Sequence, residues 1–300
     1  MRRFAGRYNG RASHASELTT DLMTRAVFFD VDFTLIYPGP TLQGQGYAHF
    51  CALRGVTVDP ALFRTAVVSA APVLDEVVAH NYDAQIFIDY TRAIIVHMGG
   101  DGPATELAAR DIYEEWAACH HFFLYDDVEP VLRELAGAGL RIGLISNTQR
   151  PLDEFASHFG LDGLIAASVS SAAHGFLKPH RAIFESALAS IGVPAGQAVM
   201  VGDSVTHDIE GARQVGMRAV LLRRAGAGLS PLQRSLGTGY DDVPVIASLT
   251  ELPELLLSLS ESDTPKGAEA LSASARSAPA GPRRSSESEV GAKAAESRSS

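Results

Sequence analysis

Two aspartates separated by one residue follow a short apolar run near the start of the chain. Asp30 and Asp32 come directly after Val27–Phe29, which is β-branched and aromatic and too short for a helix. The run predicts a buried strand, and carboxylates at a buried strand end are unfavourable unless a cation or reacting group compensates them. Ligands bind at such strand ends in open α/β sheets. A plain turn in which Asp30 caps a helix is the alternative for this stretch alone.

Other polar residues follow later predicted strands. Ser146 and Asn147 end the apolar run Leu140–Ser146, and Asp203 follows Ala198–Val201, with Asp208 five residues further on. These residues offer carboxylates, a hydroxyl and backbone amides. Carboxylate oxygens, together with water and substrate phosphate, are what Mg²⁺ prefers. Together with Asp30 they predict a site for Mg²⁺ and phosphate.

Lys178 is the lysine that we assign to this site. The chain has three lysines, and the other two, Lys266 and Lys293, lie in a C-terminal segment of tail-like composition. Lysine is a compact point charge suited to a single phosphoryl oxygen or carboxylate. Its place in a glycine- and proline-containing loop just before a predicted helix favours a functional role over that of a surface lysine.

The elements that must position these groups alternate between strands and helices of about ten residues. Such alternation indicates βαβ units and a parallel sheet. Right-handed crossovers bring the carboxyl ends of all its strands to one edge, so the polar groups above converge there. The predicted strands are Val27–Phe29, Leu140–Ser146, Leu164–Val169, Ala198–Val201 and Ala219–Leu222.

A long helical block interrupts this alternation after the first strand. From Tyr47 to about Phe122 the apolar residues recur at helical spacing, and no strand-like alternation appears. The stretches Ala61–Ala79, Gln85–Met98 and Pro103–Cys119 are the predicted helices. We interpret Tyr113 and Trp116, three residues apart, as core residues of this block.

Composition narrows the class of function. The formal charge is −10, and residues 26–259 carry −13 because residues 1–25 carry +3 and residues 260–300 carry zero. This balance disfavours nucleic acid as a partner. No apolar run approaches the length of a membrane span, so we expect no membrane partner. Two cysteines are too few for a disulfide framework and suggest a reduced, cytoplasmic setting.

Both ends of the chain lack the composition of a packed core. Residues 1–22 are arginine-rich without apolar periodicity, and residues 260–300 are rich in serine and alanine. We interpret them as a disordered leader and a disordered tail. The expected organisation is an α/β core formed by residues 23–37 and 125–259, with a helical cap over residues 38–124.

Four motifs, in order along the chain, resemble those of the haloacid dehalogenase-like hydrolase superfamily. The resemblance spans about residues 25–225 and implies a Rossmann-like, doubly wound parallel sheet core with an inserted all-helical C1 cap domain. It also implies a phosphatase-type enzyme whose substrate is a small phosphorylated metabolite enclosed by the cap. The motifs are DVDFT at 30–34, LISN at 144–147, Lys178-Pro179 and VGDSVTHD at 201–208.

The resemblance assigns roles to these residues. Asp30 would attack phosphorus to give an aspartyl-phosphate, and Asp32 would act as general acid and then general base. Lys178 would neutralise charge on Asp30 and on the phosphoryl group. The implied substrate-binding residues are Thr34, Ser146 and Asn147. The implied Mg²⁺ ligands are Asp30, Asp32 (through its backbone carbonyl), Asp203 and Asp208, the last of which could instead orient Lys178.

The sequence also leaves related chemistries open. A haloacid dehalogenase usually lacks the second acid, so Asp32 favours phosphatase chemistry, and a phosphonatase would need a cap lysine that residues 38–124 lack. A sugar phosphomutase uses the same core, and a non-catalytic phospho-ligand-binding protein is the alternative from another class.

Phe33 replaces the family's usual small residue, from which we expect altered packing or substrate contact. Arg150 is a candidate for substrate contact.

Overall fold

The computed structural model describes residues 23–75, 80–224 and 239–262. The expected leader, residues 1–22, lies outside the described residues, as does the expected tail beyond residue 262. The first residues of that tail, 260–262, form the last turn of the final helix. In the part of the chain that the structure describes, no helix is both long and apolar enough to cross a membrane.

Six parallel strands form the central sheet of the described chain, in the order β5-β4-β1-β6-β7-β8, and β2 pairs with β3 in a separate antiparallel ribbon. Strands β4 and β5 lie on one side of β1, and strands β6, β7 and β8 lie on the other. This order confirms the expected α/β class and doubly wound sheet. In chain order the strands are β1 Ala26–Phe29, β2 Ile36–Pro38, β3 Phe122–Leu124, β4 Arg141–Ser146, β5 Ile165–Ser170, β6 Ala198–Gly202, β7 Arg218–Leu222 and β8 Val245–Ile246.

Helices cover both faces of the sheet and fill the long insertion between β2 and β3. In chain order the α-helices of the described residues are α1 Gly44–Leu53, α2 Phe63–Ala70, α3 Pro72–Asp75, α4 Ala84–His97, α5 Ala104–Glu115, α6 Val128–Gly137, α7 Leu152–His158, α8 Ser171–His174, α9 Arg181–Ile191, α10 Gly211–Gln214 and α11 Leu252–Ser262. We call the segment from α1 to α5, residues 44–115, the helical insertion.

Strand β1 lies at the centre of the sheet because every one of its side chains can be buried. Val27 and Phe29 pack into an apolar layer with α6, α7 and α11, whereas Ala26 and Phe28 pack into the opposite layer with α9 and α10. A parallel strand buried on both faces is continuously apolar, as this one is. Gly143 of β4 makes room for the Phe28 ring, since a Cβ atom there would lie 2.4 Å from it.

Register places the ends of three strands side by side. Phe29 pairs with Leu144 of β4 on one side and with Val201 of β6 on the other. The residues that follow Phe29 therefore lie between the ends of β4 and β6. This register produces the convergence of polar groups that the alternation of strands and helices predicts.

The helical insertion is joined to the sheet by the β2–β3 ribbon. Ile36 pairs with Leu124 and Pro38 with Phe122, so the two chain connections of the insertion run side by side. The described residues between 44 and 115 contain helices and turns and no named strand, as the helical spacing predicts. The ribbon was not predicted, because three-residue strands carry too little periodicity to recognise.

The segment after Asp203 is not a regular α-helix. Residues Val205–Glu210 form a π-helical turn, and a short α10 follows. The side chain of Ser204 accepts a hydrogen bond from the His207 amide at 3.1 Å, and the Ser204 amide donates to Asp208 Oδ2 at 3.0 Å. Such local side-chain bonds compete with the regular helical pattern. They hold the Asp208 carboxylate at the end of β6.

Candidate active site

A buried lysine joins two of the predicted acidic residues. The Nζ atom of Lys178 donates to Oδ1 of Asp30 at 2.6 Å, to Oδ1 of Asp208 at 2.7 Å and to the carbonyl oxygen of Ile145 at 2.8 Å. These acceptors occupy all three protons of the ammonium group. Burial by itself would lower the pKa of Lys178, but the carboxylates of Asp208 and Asp30 outweigh it and raise that pKa above its ordinary value. Lys178 is therefore a fixed positive charge.

The side chain of Asn147 holds the backbone of Lys178. Asn147 Oδ1 accepts a hydrogen bond from the Lys178 amide at 2.7 Å, and its Nδ2 donates to the Lys178 carbonyl at 3.1 Å. Both polar ends of this side chain are thus engaged by one residue, although Asn147 also lines the cavity described below. The side chain positions the lysine, and its expected contact with a phosphoryl oxygen stays a prediction.

Asp32 is held by a buried arginine. Nη1 of Arg150 lies 3.1 Å from Oδ1 of Asp32, and Nη2 donates to the carbonyl oxygen of Trp116 at 2.7 Å. The guanidinium lies over the ring of Phe122, 4.2 Å from its centroid. Arg150 is 0% exposed, whereas Asp32 keeps 20% of its side chain exposed. Arg150 thus contacts the second acid and does not line the cavity, where its proposed substrate contact would have to be made.

Three buried carboxylates form a candidate metal site. Asp30, Asp203 and Asp208 each offer an oxygen, and these oxygens lie within 4.8 Å of one another. Gly202 permits this approach, since a Cβ atom there would lie 2.2 Å from Oδ2 of Asp208. Lys178 supplies one positive charge against three negative ones. Hard oxygen donors with an excess of negative charge fit a divalent cation such as Mg²⁺ or Ca²⁺.

Burial changes the acidity of both members of the aspartate pair. It raises the pKa of Asp30 to about 6, and the charge of Lys178 opposes that rise. Burial also raises the pKa of Asp32, against the opposing charge of Arg150. At neutral pH the Asp30 carboxylate is ionised and can act as a nucleophile, while a raised pKa brings Asp32 closer to the range of a general acid.

A cavity of about 150 Å³ lies between the strand ends and the helical insertion. Of the predicted site residues, seven line it: Asp30, Asp32, Ser146, Asn147, Lys178, Asp203 and Asp208. The structure thus brings together on one cavity the groups that four separate motifs contribute. The other walls are formed by residues of the helical insertion and the loops, among them Leu74, Ile86, Phe87, Tyr90, Tyr113 and Trp116.

Ser146 and Thr34 differ in their relation to this cavity. The Ser146 hydroxyl lines it, is buried and has no hydrogen-bond partner among the residues that the structure describes, so it can still bind a ligand oxygen. The Thr34 hydroxyl is also buried without a hydrogen-bond partner in the described part of the chain, but Thr34 is not among the lining residues. The Thr34 carbonyl oxygen accepts two hydrogen bonds from Arg224, at 2.9 and 3.1 Å. The substrate-binding role of Thr34 therefore stays a prediction without support from the cavity.

Phe33 adopts a backbone conformation that favours glycine. Its φ angle is +66°, in the left-handed region, where a bulky residue is strained by about 1–3 kcal/mol. The Phe33 amide donates to the Ile36 carbonyl at 2.7 Å, which closes the turn after β1. Its side chain lines the cavity, and its ring centroid lies 6.4 Å from that of Trp116. The turn accounts for the family's preference for a small residue, and the ring supplies part of the cavity wall.

Sequence reasoning missed two features of the site. Tyr113 and Trp116 were interpreted as core residues, and that interpretation was incomplete because both line the cavity. Their spacing could not reveal it, since one helical face can cover either a core or a cavity. The second feature is the contact between Arg150 and Asp32. The position of Arg150, three residues after Asn147, indicates that it lies near the site, but its partner Asp32 is 118 residues away in the chain and cannot be identified from local pattern.

Comparison with known proteins agrees with this geometry. The family model described as haloacid dehalogenase-like hydrolase matches residues 24–216. The human haloacid dehalogenase-like hydrolase domain-containing protein 3 is 30% identical over 254 residues, which cover 81% of this chain and 98% of the human protein. A protein from Methanothermobacter thermautotrophicus, named glyceraldehyde 3-phosphate phosphatase, is 29% identical over 244 residues, covering 78% of this chain and all of that protein.

The fold is also similar to that of a solved structure. The HAD phosphatase from Thermococcus onnurineus aligns with a TM-score of 0.53 over 78% of this chain and 98% of its own length, at 24% sequence identity. That likeness supports the fold, while the family model covers both ends of the site, from Asp30 to Asp208. The chain belongs to the haloacid dehalogenase-like hydrolase family.

Proposed function

We propose that this protein is a Mg²⁺-dependent phosphomonoester hydrolase that acts on a small phosphorylated metabolite through an aspartyl-phosphate on Asp30. The observation that carries the proposal is the pairing of two differently held acids at one cavity. Lys178 holds Asp30 at 2.6 Å, and Arg150 holds Asp32 at 3.1 Å. These contacts support the assignment of Asp30 as the nucleophile, and the pKa of Asp32, which burial raises against the opposing charge of Arg150, supports its assignment as the proton donor. This division of roles suits phosphoryl transfer to water.

The reaction takes two displacements at phosphorus. In the first, an Asp30 oxygen attacks phosphorus, the bond to the leaving oxygen breaks, and Asp32 gives its proton to that oxygen. In the second, Asp32 takes a proton from water, which attacks phosphorus and breaks the bond to Asp30. Inorganic phosphate leaves, and both carboxyl groups return to their starting states. Lys178 holds Asp30 in place throughout, and Ser146 can donate to a phosphoryl oxygen.

Mg²⁺ fits the oxygen donors of Asp30 and Asp203, with Asp208 beside them. When bound, it would screen these carboxylates from the incoming phosphate and polarise the phosphoryl group. In the structure Asp208 bonds Lys178 through Oδ1 and the Ser204 amide through Oδ2. We therefore assign Asp208 mainly to holding the lysine, and the carbonyl of Asp32 to the metal, as the family resemblance implies.

The helical insertion serves in this proposal as the cap, with the core formed by residues 23–37 and 125–259. Support comes from the cavity, whose walls combine strand-end residues with Leu74, Phe87 and Tyr113 of the insertion or its neighbouring loops. Enclosure by such a wall excludes water from the reacting groups. The relative named glyceraldehyde 3-phosphate phosphatase supports a small substrate.

Phosphate release from a panel of small phosphomonoesters tests the proposal. We expect Mg²⁺-dependent release that stops on chelation and returns when Mg²⁺ is added back. Asp30→Asn should lower the rate by at least about three orders of magnitude, because it removes the nucleophile. Asp126→Asn makes the same chemical change at an exposed residue and should leave the rate unchanged.

Three results would count against the proposal. Release that survives chelation would overturn the metal assignment, and release that survives Asp30→Asn would overturn the nucleophile. Isomerised sugar phosphate in place of free phosphate would identify a mutase. Measuring both products in one reaction separates these outcomes.

We also propose a cytoplasmic location without nucleic-acid or membrane partners. The charge of −13 over residues 26–259 and the free cysteines Cys51 and Cys119 support this placement. Fractionation of the producing cell tests it: we expect the protein with the cytoplasmic fraction, and recovery with membranes would contradict the proposal.

A further inference from the structure

The side of the cavity that the helical insertion forms is largely apolar and aromatic. Ile86, Phe87 and Tyr90 come from α4, and Tyr113 and Trp116 from the end of α5 and the residue after it. The rings of Phe87 and Tyr113 are stacked, with centroids 6.3 Å apart. The Tyr113 hydroxyl shares a hydrogen bond of 2.6 Å with that of Tyr82, so its polar end is occupied.

The cations around the cavity are already engaged by the protein. Lys178 is the only lysine or arginine among the described lining residues, and its three protons bond Asp30, Asp208 and the Ile145 carbonyl. Arg150, buried beneath the cavity, bonds Asp32 and the Trp116 carbonyl.

Histidine is the other side chain that could carry a positive charge here, and His80 and His207 line the cavity. Burial, together with the charge of His180, lowers the pKa of His80 below its ordinary value. His207 lies on the opposite side, in the π-helical turn after Asp203. Apart from these two histidines, the cavity offers a second anionic group of the substrate no unengaged lysine or arginine among its described lining residues.

We propose that the preferred substrate is a phosphomonoester whose leaving alcohol carries no charge and presents carbon-rich surface to the aromatic wall. This inference rests on the proposed function and narrows its substrate class. A carboxylate or second phosphate on the leaving group would lie against this largely apolar wall with no unengaged lysine or arginine among the described lining residues to pair with it, which is unfavourable. A volume near 150 Å³, comparable with a cavity that holds benzene, limits that group to a few carbon atoms.

Binding of non-hydrolysable phosphonates tests the inference without relying on turnover. We compare 3-phosphonopropanamide with 3-phosphonopropanoate by calorimetry at pH 8 with saturating Mg²⁺, because the two match in size and differ in charge. We expect the carboxylate to bind at least about tenfold more weakly. Equal or tighter binding of the carboxylate overturns the inference, and so does the absence of binding by either compound.

Hydrolysis provides the matching kinetic comparison. Glyceraldehyde 3-phosphate and 3-phosphoglycerate share a carbon skeleton and differ at the aldehyde or carboxylate end. We expect kcat/KM to be at least about tenfold higher for the aldehyde. A preference for the carboxylate overturns the inference and leaves the proposed phosphatase function intact. Absence of phosphate release from every compound overturns the proposed function, whereas the phosphonate pair still decides the charge preference.

Two lysine substitutions on the same helix test whether the discrimination against a charged leaving group arises at the cavity wall. Ile86→Lys adds a cation to the cavity wall, and Val96→Lys adds the same charge at an exposed position on the same helix, α4. We expect Ile86→Lys to reduce the discrimination against 3-phosphonopropanoate at least about threefold and Val96→Lys to leave it unchanged. Equal effects of both variants would show that the preference arises from overall charge, which contradicts the inference. Circular dichroism establishes that both variants fold.

Discussion

The two walls of the cavity differ in what holds them together. On the strand-end side, charged groups are buried and bonded to one another, as in the triad of Lys178, Asp30 and Asp208. On the side of the helical insertion, aromatic rings such as Phe87 and Tyr113 pack without charges. Removing one member of a buried charge network lowers the free energy of unfolding strongly, because its partners stay buried without a counter-charge. An apolar wall tolerates substitution by another apolar side chain of similar size at a smaller cost. We therefore expect the chemistry to depend on the first wall and the selection of the substrate on the second.

The largest expected effect is that of Lys178→Met. It leaves Asp30 and Asp208 buried without their counter-charge, so we expect the free energy of unfolding to fall by about 3–5 kcal/mol and phosphate release to be lost. Urea unfolding and the phosphate assay measure the two effects. Arg181→Met removes the cation of the exposed pair with Glu185 and should change neither. A Lys178→Met protein as stable and active as the parent would show that the charge network is unimportant.

Arg150→Met should have the next largest effect. Asp32 stays partly exposed, so the expected loss of stability is smaller, about 2–3 kcal/mol. We expect kcat to fall more than KM changes, because Arg150 positions Asp32 and does not line the cavity. Arg150→Lys should rescue kcat only in part, since an ammonium cannot reach both Asp32 and the Trp116 carbonyl as the guanidinium does. A rise in KM alone would point instead to direct substrate binding.

The ion pair of Asp127 and Arg224 lies on the core side and does not line the cavity. Asp127 accepts hydrogen bonds from Arg224 at 2.8 and 2.9 Å, from the Ser248 hydroxyl at 2.8 Å and from the Leu249 amide at 2.9 Å. Burial by itself would raise the pKa of Asp127, but the bonds from Arg224 and Ser248 outweigh it and lower that pKa. A lowered pKa means stability that is complete above the ordinary value of 3.8 and is lost as the pH falls further.

Asp127→Asn should therefore lower the free energy of unfolding by about 2 kcal/mol at pH 7, and the difference from the parent should shrink below pH 3.8. Urea unfolding across pH 2.5–7 measures it. Asp126→Asn, at the exposed neighbouring residue, is the control and should follow the parent at each pH. Activity at pH 7 should persist in both variants. A difference independent of pH would contradict the ion-pair assignment.

The smallest effect is expected on the aromatic wall. Phe87→Leu keeps an apolar side chain there, so we expect a loss of about 1 kcal/mol in stability and little change in kcat. KM for a phosphomonoester with an uncharged leaving group should rise about threefold because ring contact is lost. Steady-state kinetics with glyceraldehyde 3-phosphate measures this. A fall in kcat as large as that of Arg150→Met would remove the distinction between the two walls.

Much of the fold could be predicted from local pattern. The apolar run of β1 and its two following aspartates are readable because both faces of a central parallel strand are buried. The helical insertion is readable because its periodicity extends over many turns. The β2–β3 ribbon and the two-residue β8 are too short for such a signal. The π-helical turn after Asp203 depends on the bonds of Ser204 and Asp208, which propensity does not encode.

The kinds of group at the site can be read from the amino-acid sequence alone: an aspartate pair, a lysine, a serine and a second acidic cluster, each at a strand end or in a loop. Tertiary structure decided how they are paired. Lys178 reaches Asp30 across 148 residues, and Arg150 reaches Asp32 across 118. It also placed Tyr113 and Trp116 on the cavity. The reason is physical: periodicity reports which face of an element is apolar, while pairing and cavity shape arise only when distant elements pack together.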